Sequence, residues 1–227
     1  MAVLENAYRI LIKECRSKRV TLVAVSKTRP VEDILALYAM GHRDFGENYV
    51  QELLEKQPQL PEDIRWHFIG HLQSNKVKYI APFIHMIHGI DSMKLLQEVN
   101  KQAVKLSRRI NCLLQLYVAR EETKFGLDET ELKMLLENYS SADEMDNARI
   151  CGLMAMASFT DQEATIKSEF QQVRHQFEYC RENYFYHDEH FREMSMGMSS
   201  DYHIAIEEGS TMVRIGSLIF GERKTTV

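Results

Sequence analysis

Lys27 follows the apolar run Thr21-Leu22-Val23-Ala24-Val25-Ser26 and precedes Thr28-Arg29-Pro30, the pattern of a strand that ends and turns into a helix. An amine held there in a partly dry pocket has a depressed pKa, and its neutral form can condense with an aldehyde to an imine. A strand-end lysine more often lays its stem on apolar surface and lets the ammonium reach solvent, and position alone favours that reading. Two later stretches bear on the choice. Met196-Gly197-Met198-Ser199-Ser200-Asp201 and Arg214-Ile215-Gly216-Ser217 each place glycine and serine at a strand exit. Backbone N–H groups at such turns cradle phosphate without any net positive charge. Ser199 also stands where its hydroxyl can cap a helix beginning near Asp201. Either stretch alone reads as a cap or a turn; together they suggest a phosphate-bearing ligand opposite a lysine. His67 with His71, and His187 with His190, raise a metal site by proximity, but no set of carboxylates accompanies either pair at ligand spacing.

The elements that must carry these residues alternate. Short apolar runs predict strands at Val20–Ser26, Arg43–Gly46, Arg65–Gly70, His85–Ile90, Asn111–Ala119, Arg149–Ala155, Glu193–Met198 and Thr211–Gly216. Helical spacing marks Leu4, Ala7, Tyr8, Leu11, Ile12 and Cys15 ahead of the first strand. It also marks Leu96, Val99, Ala103 and Leu106, and later Ile166, Phe170, Val173, Phe177, Cys180 and Tyr184. The last stripe is too short for a long coiled coil, so it is expected to pack on the sheet. Ser140–Asn147 is polar and without apolar period, and reads as a surface loop. Eight strands, each followed by a helix or helical turn, fit a single closed (β/α)8 TIM-like barrel with an extra N-terminal helix, one domain over residues 1–227. An open doubly wound sheet is the alternative. In a barrel, function collects where the strands end, and the loops after the seventh and eighth are the usual phosphate site.

Composition narrows the class. The chain has 28 Lys+Arg against 33 Asp+Glu, a net charge of −5, which argues against an electrostatic nucleic-acid binder. The longest mostly apolar run without a charge, Ile150 to Phe159, falls far short of the ~20 residues of a membrane span. Cys15, Cys112, Cys151 and Cys180 are scattered, with no CxxC, and read as buried thiols in a reducing compartment. The start lacks the basic-then-apolar pattern of a signal peptide, so a cytoplasmic protein is expected.

Several segments carry a resemblance. Leu22-Val23-Ala24-Val25-Ser26-Lys27-Thr28, Phe45-Gly46-Glu47-Asn48-Tyr49-Val50-Gln51-Glu52 and Trp66-His67-Phe68-Ile69-Gly70-His71-Leu72-Gln73-Ser74-Asn75-Lys76 are similar to the pyridoxal phosphate homeostasis protein family. So are Ser195-Met196-Gly197-Met198-Ser199 and Gly209 through Gly221, so that the matches run in order from about residue 20 to residue 223. The resemblance implies a fold like the barrel domain of alanine racemases and pyridoxal 5′-phosphate (PLP) as cofactor. It implies that Lys27 carries the cofactor as an internal imine, that Ser199 and the backbone of Gly216 and Ser217 bind the phosphate, and that Arg214 faces the pyridine nitrogen. Asn48 is placed at the cofactor's mouth, Met154 at the sixth strand is expected among the residues that bind the cofactor, and Lys124 and Gly126 match the pattern after the fifth strand.

An arginine leaves the pyridine nitrogen neutral, which makes a weak electron sink. Racemases add a second base from a further domain, for which 227 residues are expected to leave no room. Storage and delivery of the vitamer, with transient contact to PLP-dependent apo-enzymes, is therefore favoured over turnover, in a monomer without membrane or nucleic-acid partners. The rival is a PLP-dependent amino-acid racemase of low activity, with Tyr49 or Tyr202 as nominal second base. Lys76, Lys124 and Lys224 lie near matched motifs and could pass the aldehyde on, but each reads better as a solvated charge.

Overall fold

The computed structural model describes residues 3–119, 125–141 and 145–222. Helix α1 (Glu5–Ser17) precedes β1 (Thr21–Val25), and the chain then alternates through α2 (Val31–Ala39), β2 (Asp44–Glu47), α3 (Val50–Lys56) and β3 (Arg65–Phe68). It continues through α4 (Val77–Ile80), β4 (Met86–Ile90), α5 (Met93–Lys105), β5 (Ile110–Gln115) and α6 (Glu129–Ser141). The last third holds β6 (Ala148–Met154), α7 (Glu163–Asn183), β7 (Glu193–Ser195), α8 (Tyr202–Glu207), β8 (Met212–Ile215) and α9 (Ser217–Phe220). Every neighbouring pair of strands is parallel, and β8 pairs back on β1 with Thr21 beside Met212, so the sheet closes into a barrel. The open-sheet alternative is thereby excluded.

Closure follows from the strand pattern. Leu22 and Ala24 of β1 face the helices, and Val23 faces the barrel axis. Both faces are thus apolar, as a sheet covered on both sides requires. Most of the predicted helical stripes are buried, with Tyr8, Leu11 and Cys15 on α1 and Ile166, Phe170, Val173, Phe177 and Cys180 on α7, but Leu4 and Leu106, at the ends of their stripes, are exposed at 47% and 41%. The α7 stripe is used up against the barrel. Each such side chain contributes about 1.5–3 kcal/mol on burial.

Some edges differ from expectation. The seventh strand stops at Ser195, because Gly197 takes a left-handed φ of 93° and turns the chain. The fifth stops at Gln115, where Leu116 leaves the ladder and makes a lone bridge to Leu127. The polar stretch 140–147 begins inside α6, which runs to Ser141, and Met145 is buried; residues 142–144 lie outside the described residues. Between β5 and β6 the register slips at Cys151. Gly152, at φ 150°, brings its backbone so close to Glu193 that an added Cβ would stand 1.7 Å from that carbonyl oxygen.

The barrel interior is not wholly apolar. Val23, Met86, Leu113, Cys151, Met154 and Met212 pack together there, and His67, His88, Ser195 and Arg214 are buried with them at 0–4% exposure.

Candidate functional site

A cavity of about 400 Å³ opens at the ends of the strands. Its wall includes Lys27, Asn48, Ser199, Arg214, Gly216 and Ser217, together with Val25, Arg29, Ile69, Met156 and Met198. The side chains therefore come from β1, β2, β3, β6, β7 and β8 or the loops just past them. Six of the seven residues expected to touch a cofactor share this one wall.

Lys27 is presented by a tight turn. Thr28 sits at φ 63°, a left-handed conformation that costs a non-glycine residue about 1 kcal/mol. The turn is held from behind. Glu52 on α3 accepts from the Thr28 N–H at 2.5 Å, and the Lys56 ammonium donates to the Ser26 carbonyl at 2.8 Å. Lys56 also donates to Glu47 at 2.8 Å and to Glu52 at 2.6 Å, and the Ser26 hydroxyl donates to Glu47 at 2.6 Å. Glu47 is wholly buried, and one of its oxygens, Oε2, has no donor among the described residues. Burial pushes its pKa up, against the opposing charge of Lys56. Pro30 then sets an extended entry into α2. Arg29 reaches across to the Gly221 carbonyl and lies 5.7 Å from the Phe220 ring, joining this loop to the one after β8.

Arg214 is the cation at the base of the cavity. Its Nη1 donates to the Ser195 carbonyl at 2.8 Å and to Ser195 Oγ at 2.6 Å, and its Nη2 donates to the Ala155 carbonyl at 2.9 Å. Burial brings its pKa down to about 10, against the pull of Asp201, so it remains a cation at neutral pH. Three of its five N–H groups are satisfied in this way, and two are left without a protein acceptor among the described residues.

Ser199 does not cap the next helix. Asp201 holds the N-cap position of α8, and its carboxylate turns back to accept from the Met198 N–H at 2.6 Å. A longer acceptor arm thus closes the turn, and Ser199 lies half-buried in the cavity wall instead. Gly216 precedes α9 and rests against Val25, whose carbonyl oxygen would lie 3.2 Å from an added Cβ.

Met154 is not in the wall. It is buried in the barrel interior, and Met156 occupies the wall in its place. The two face the same way, but Met156 is one inward-facing step nearer the mouth. Gly126 packs its backbone on Leu116 and Tyr117, away from the cavity. Lys76 is exposed beside the Tyr79 ring; Lys124 and Lys224 lie outside the described residues. His67 is buried inside the barrel while the exposed His71 pairs with Asp91 at 3.2 Å and stacks on Phe125, so the two do not converge. No group of three metal-ligating side chains occurs among the described residues.

Charge and donors fit a small aromatic phosphate aldehyde. The wall offers one amine, hydroxyls and backbone N–H groups at two turns, and a buried guanidinium with donors to spare. Asn48 Oδ1 is buried with no donor among the described residues, and such a ligand would satisfy it. Arg29, Ile69, Met156 and Met198 were not anticipated in the wall; strand parity counted to the mouth would have pointed to Ile69 and Met156.

The family model for the alanine racemase N-terminal domain matches residues 2–224. A pyridoxal phosphate homeostasis protein of Aquifex aeolicus is 40% identical over 204 residues, which are 89% of this chain and 87% of the relative. The protein of that name from Homo sapiens is 40% identical over 213 residues, 89% of this chain and 76% of the relative. The structure of PipY from Synechococcus elongatus with PLP bound superposes with a TM-score of 0.83 at 34% identity, covering 95% of this chain and 99% of that one. An alanine racemase of Bartonella henselae, 16% identical and with a TM-score of 0.66, shares the fold over 62% of its own length. The chain belongs to the pyridoxal phosphate homeostasis protein family.

Proposed function

We propose that this chain binds PLP covalently through Lys27 and serves PLP homeostasis, holding and handing on the vitamer rather than turning over a substrate. The observation that carries the reading is a single cavity that gathers Lys27, the Ser199 and Gly216–Ser217 turns, and a buried Arg214 with unsatisfied donors. Ser199, Ser217 and the backbone at Gly216 would hold the phosphate, Arg214 the ring nitrogen, and Asn48 the ring edge. When bound, the cofactor supplies an aldehyde carbon open to amines. The chain's own part is positional. The Glu47–Lys56–Glu52 cluster fixes the turn that aims Lys27, and Arg214 offers N–H donors only, with no carboxylate that would protonate the ring.

Low racemase activity needs a second base. Among the described residues no tyrosine, histidine or carboxylate stands in the cavity wall. Tyr202 donates to Glu14 at 3.3 Å and has its pKa raised to about 12 by burial and by Glu14. Tyr49 is exposed outside the wall. Rapid exchange of an amino acid's α-proton in deuterated water, catalysed by the PLP-loaded protein, would favour the racemase.

A monomer in the cytoplasm that meets apo-enzymes transiently belongs to the same proposal. The four buried, unbridged cysteines support a reducing compartment, and no described helix is long and apolar enough to cross a membrane. The direct test is borohydride reduction of the PLP-incubated protein followed by peptide mapping. A pyridoxyl adduct is expected on Lys27 and lost in Lys27→Ala; an adduct elsewhere, or imine absorbance surviving in Lys27→Ala, would overturn the proposal.

A further inference from the structure

An unbroken line of polar side chains crosses the barrel interior from the cavity to its opposite end. Arg214 on β8 donates to Ser195 Oγ on β7 at 2.6 Å. Ser195 Oγ meets His88 Nδ1 on β4 at 3.1 Å. His88 Nε2 meets His67 Nδ1 on β3 at 2.9 Å. His67 Nε2 meets Asp44 Oδ1 on β2 at 3.1 Å, and Arg65 clamps that carboxylate with two bonds at the barrel floor.

The chemistry of the two ends orients every proton between them. Arginine can only donate, so Ser195 Oγ accepts from it and sends its single hydrogen on to His88 Nδ1. A neutral His88 then carries its proton on Nε2, aimed at His67 Nδ1. His67 in turn carries its proton on Nε2, aimed at Asp44, which as a carboxylate only accepts. All links are satisfied together in this one sense. Reversing the His88 link requires one more proton on His67 and leaves the serine hydrogen without an acceptor in the chain.

Arg214 needs such a device. It is a buried cation whose hydrogen-bond partners are two carbonyls and a hydroxyl, with no carboxylate among them, and an uncompensated buried charge is costly. Each dipole in the chain turns its negative end toward the guanidinium and its positive end toward Asp44, and aligned bonds polarise one another. Asp201 acts on Arg214 only from a distance. The other titratable or charged groups facing the chain are Arg65, the His85 ring, 5.3 Å from His67, and His42, whose Nε2 meets the Asp44 carbonyl at 2.8 Å.

We propose that Asp44, His67, His88 and Ser195 are positioning residues for Arg214, a one-way hydrogen-bond chain that relays a distant negative charge to the guanidinium and so sets the donors it offers the cofactor's ring nitrogen. The inference rests on the PLP reading above. Plain core filling would instead lower stability when a link is cut and leave the cofactor's environment alone.

Two measurements decide. Ring nitrogen NMR of the cofactor-free wild type is expected to show His88 as the Nε2–H tautomer with Nδ1 unprotonated at neutral pH; a protonated Nδ1 overturns the chain whatever the cofactor does. In the PLP-loaded protein, Ser195→Ala and Asp44→Asn are expected to move the pH midpoint of the imine band and to speed PLP release about tenfold, on the scale of one charged hydrogen bond. Ser195→Thr, which keeps the hydroxyl, restores both. If Ser195→Ala and Asp44→Asn lower the melting temperature but leave midpoint and release unchanged, the relay fails. If wild-type borohydride mapping shows no adduct on Lys27, the PLP reading has failed, and the NMR outcome alone judges the chain.

Discussion

The chain that ends on Arg214 and the cluster behind Lys27 both fix a side chain at the same cavity, and they do so with opposite use of charge. Inside the barrel Arg214 and Asp44 stand at the two ends, with two histidines and a serine between. Outside it, Glu47 and Glu52 both lie within hydrogen-bond distance of the Lys56 ammonium. The difference teaches where each can be hurt. A compact ion cluster fails when one member is removed, because its partner is left charged and dry. A neutral chain fails when a proton is added, because its sense can no longer be kept.

The largest effect is expected from Lys56→Met. It strands Glu47 at 0% exposure and should lower stability by about 3–5 kcal/mol in urea unfolding. Pairing it with Glu47→Leu should return most of that loss. If the double variant is no more stable than the single one, the cluster is not the compact ion pair described here.

Next comes acid. His85 and His88 have their pKa values lowered by burial, His85 to about 4, so the unfolded chain binds more protons below the ordinary value of 6.5. Stability is complete above 6.5 and falls as pH drops toward 4. The cluster titrates the other way. Glu47 is raised above 4.5, so folding favours its protonation and acid relieves its burial. Urea midpoints at about pH 7.5 and pH 5 should show the net loss, with His85→Asn removing on the order of 1 kcal/mol of it. A loss untouched by His85→Asn would place the acid sensitivity on His88, or on His42, which burial also lowers to about 4.

The smallest effect belongs to Arg65→Lys at the floor. Half-exposed Arg65 is screened by solvent, and its replacement should cost under about 1 kcal/mol. A larger loss would show that the bidentate grip on Asp44, and not its charge alone, keeps the chain in register.

Much of this is legible in the amino-acid sequence. The strands declared themselves as apolar runs, and their exits put Lys27, Ser199, Arg214 and Gly216 in reach of one mouth. What escaped was whatever depends on register. Met154 is expected to touch the cofactor, but parity carried one inward step further reaches Met156 instead, and the slip at Cys151 carries no local signal. His67 and His71 look like a pair in the sequence because they stand four positions apart near one strand exit. The strand ends at Phe68, so only His67 stays inside the barrel. Its true partner, His88, lies 21 residues away and becomes its neighbour only through the β3–β4 pairing. The Ser26–Glu47–Lys56 contacts are likewise long-range, and buried Lys and Glu are what composition leads one to place on the surface.

The pairing of β1 with β8 has a consequence for how the barrel comes apart. It joins residues nearly two hundred positions distant, and it is the seam where first and last strand are zipped. Lys27 stands on one side of that seam, and Arg214, Gly216 and Ser217 on the other. A molecule gripping both sides is a clasp, and at a hundredfold excess over its dissociation constant it adds about 2.7 kcal/mol against opening. Loaded protein should therefore protect β1 and β8 amides from hydrogen exchange more than those of β4 and β5, and surrendering the ligand would unfasten the barrel where its ends meet.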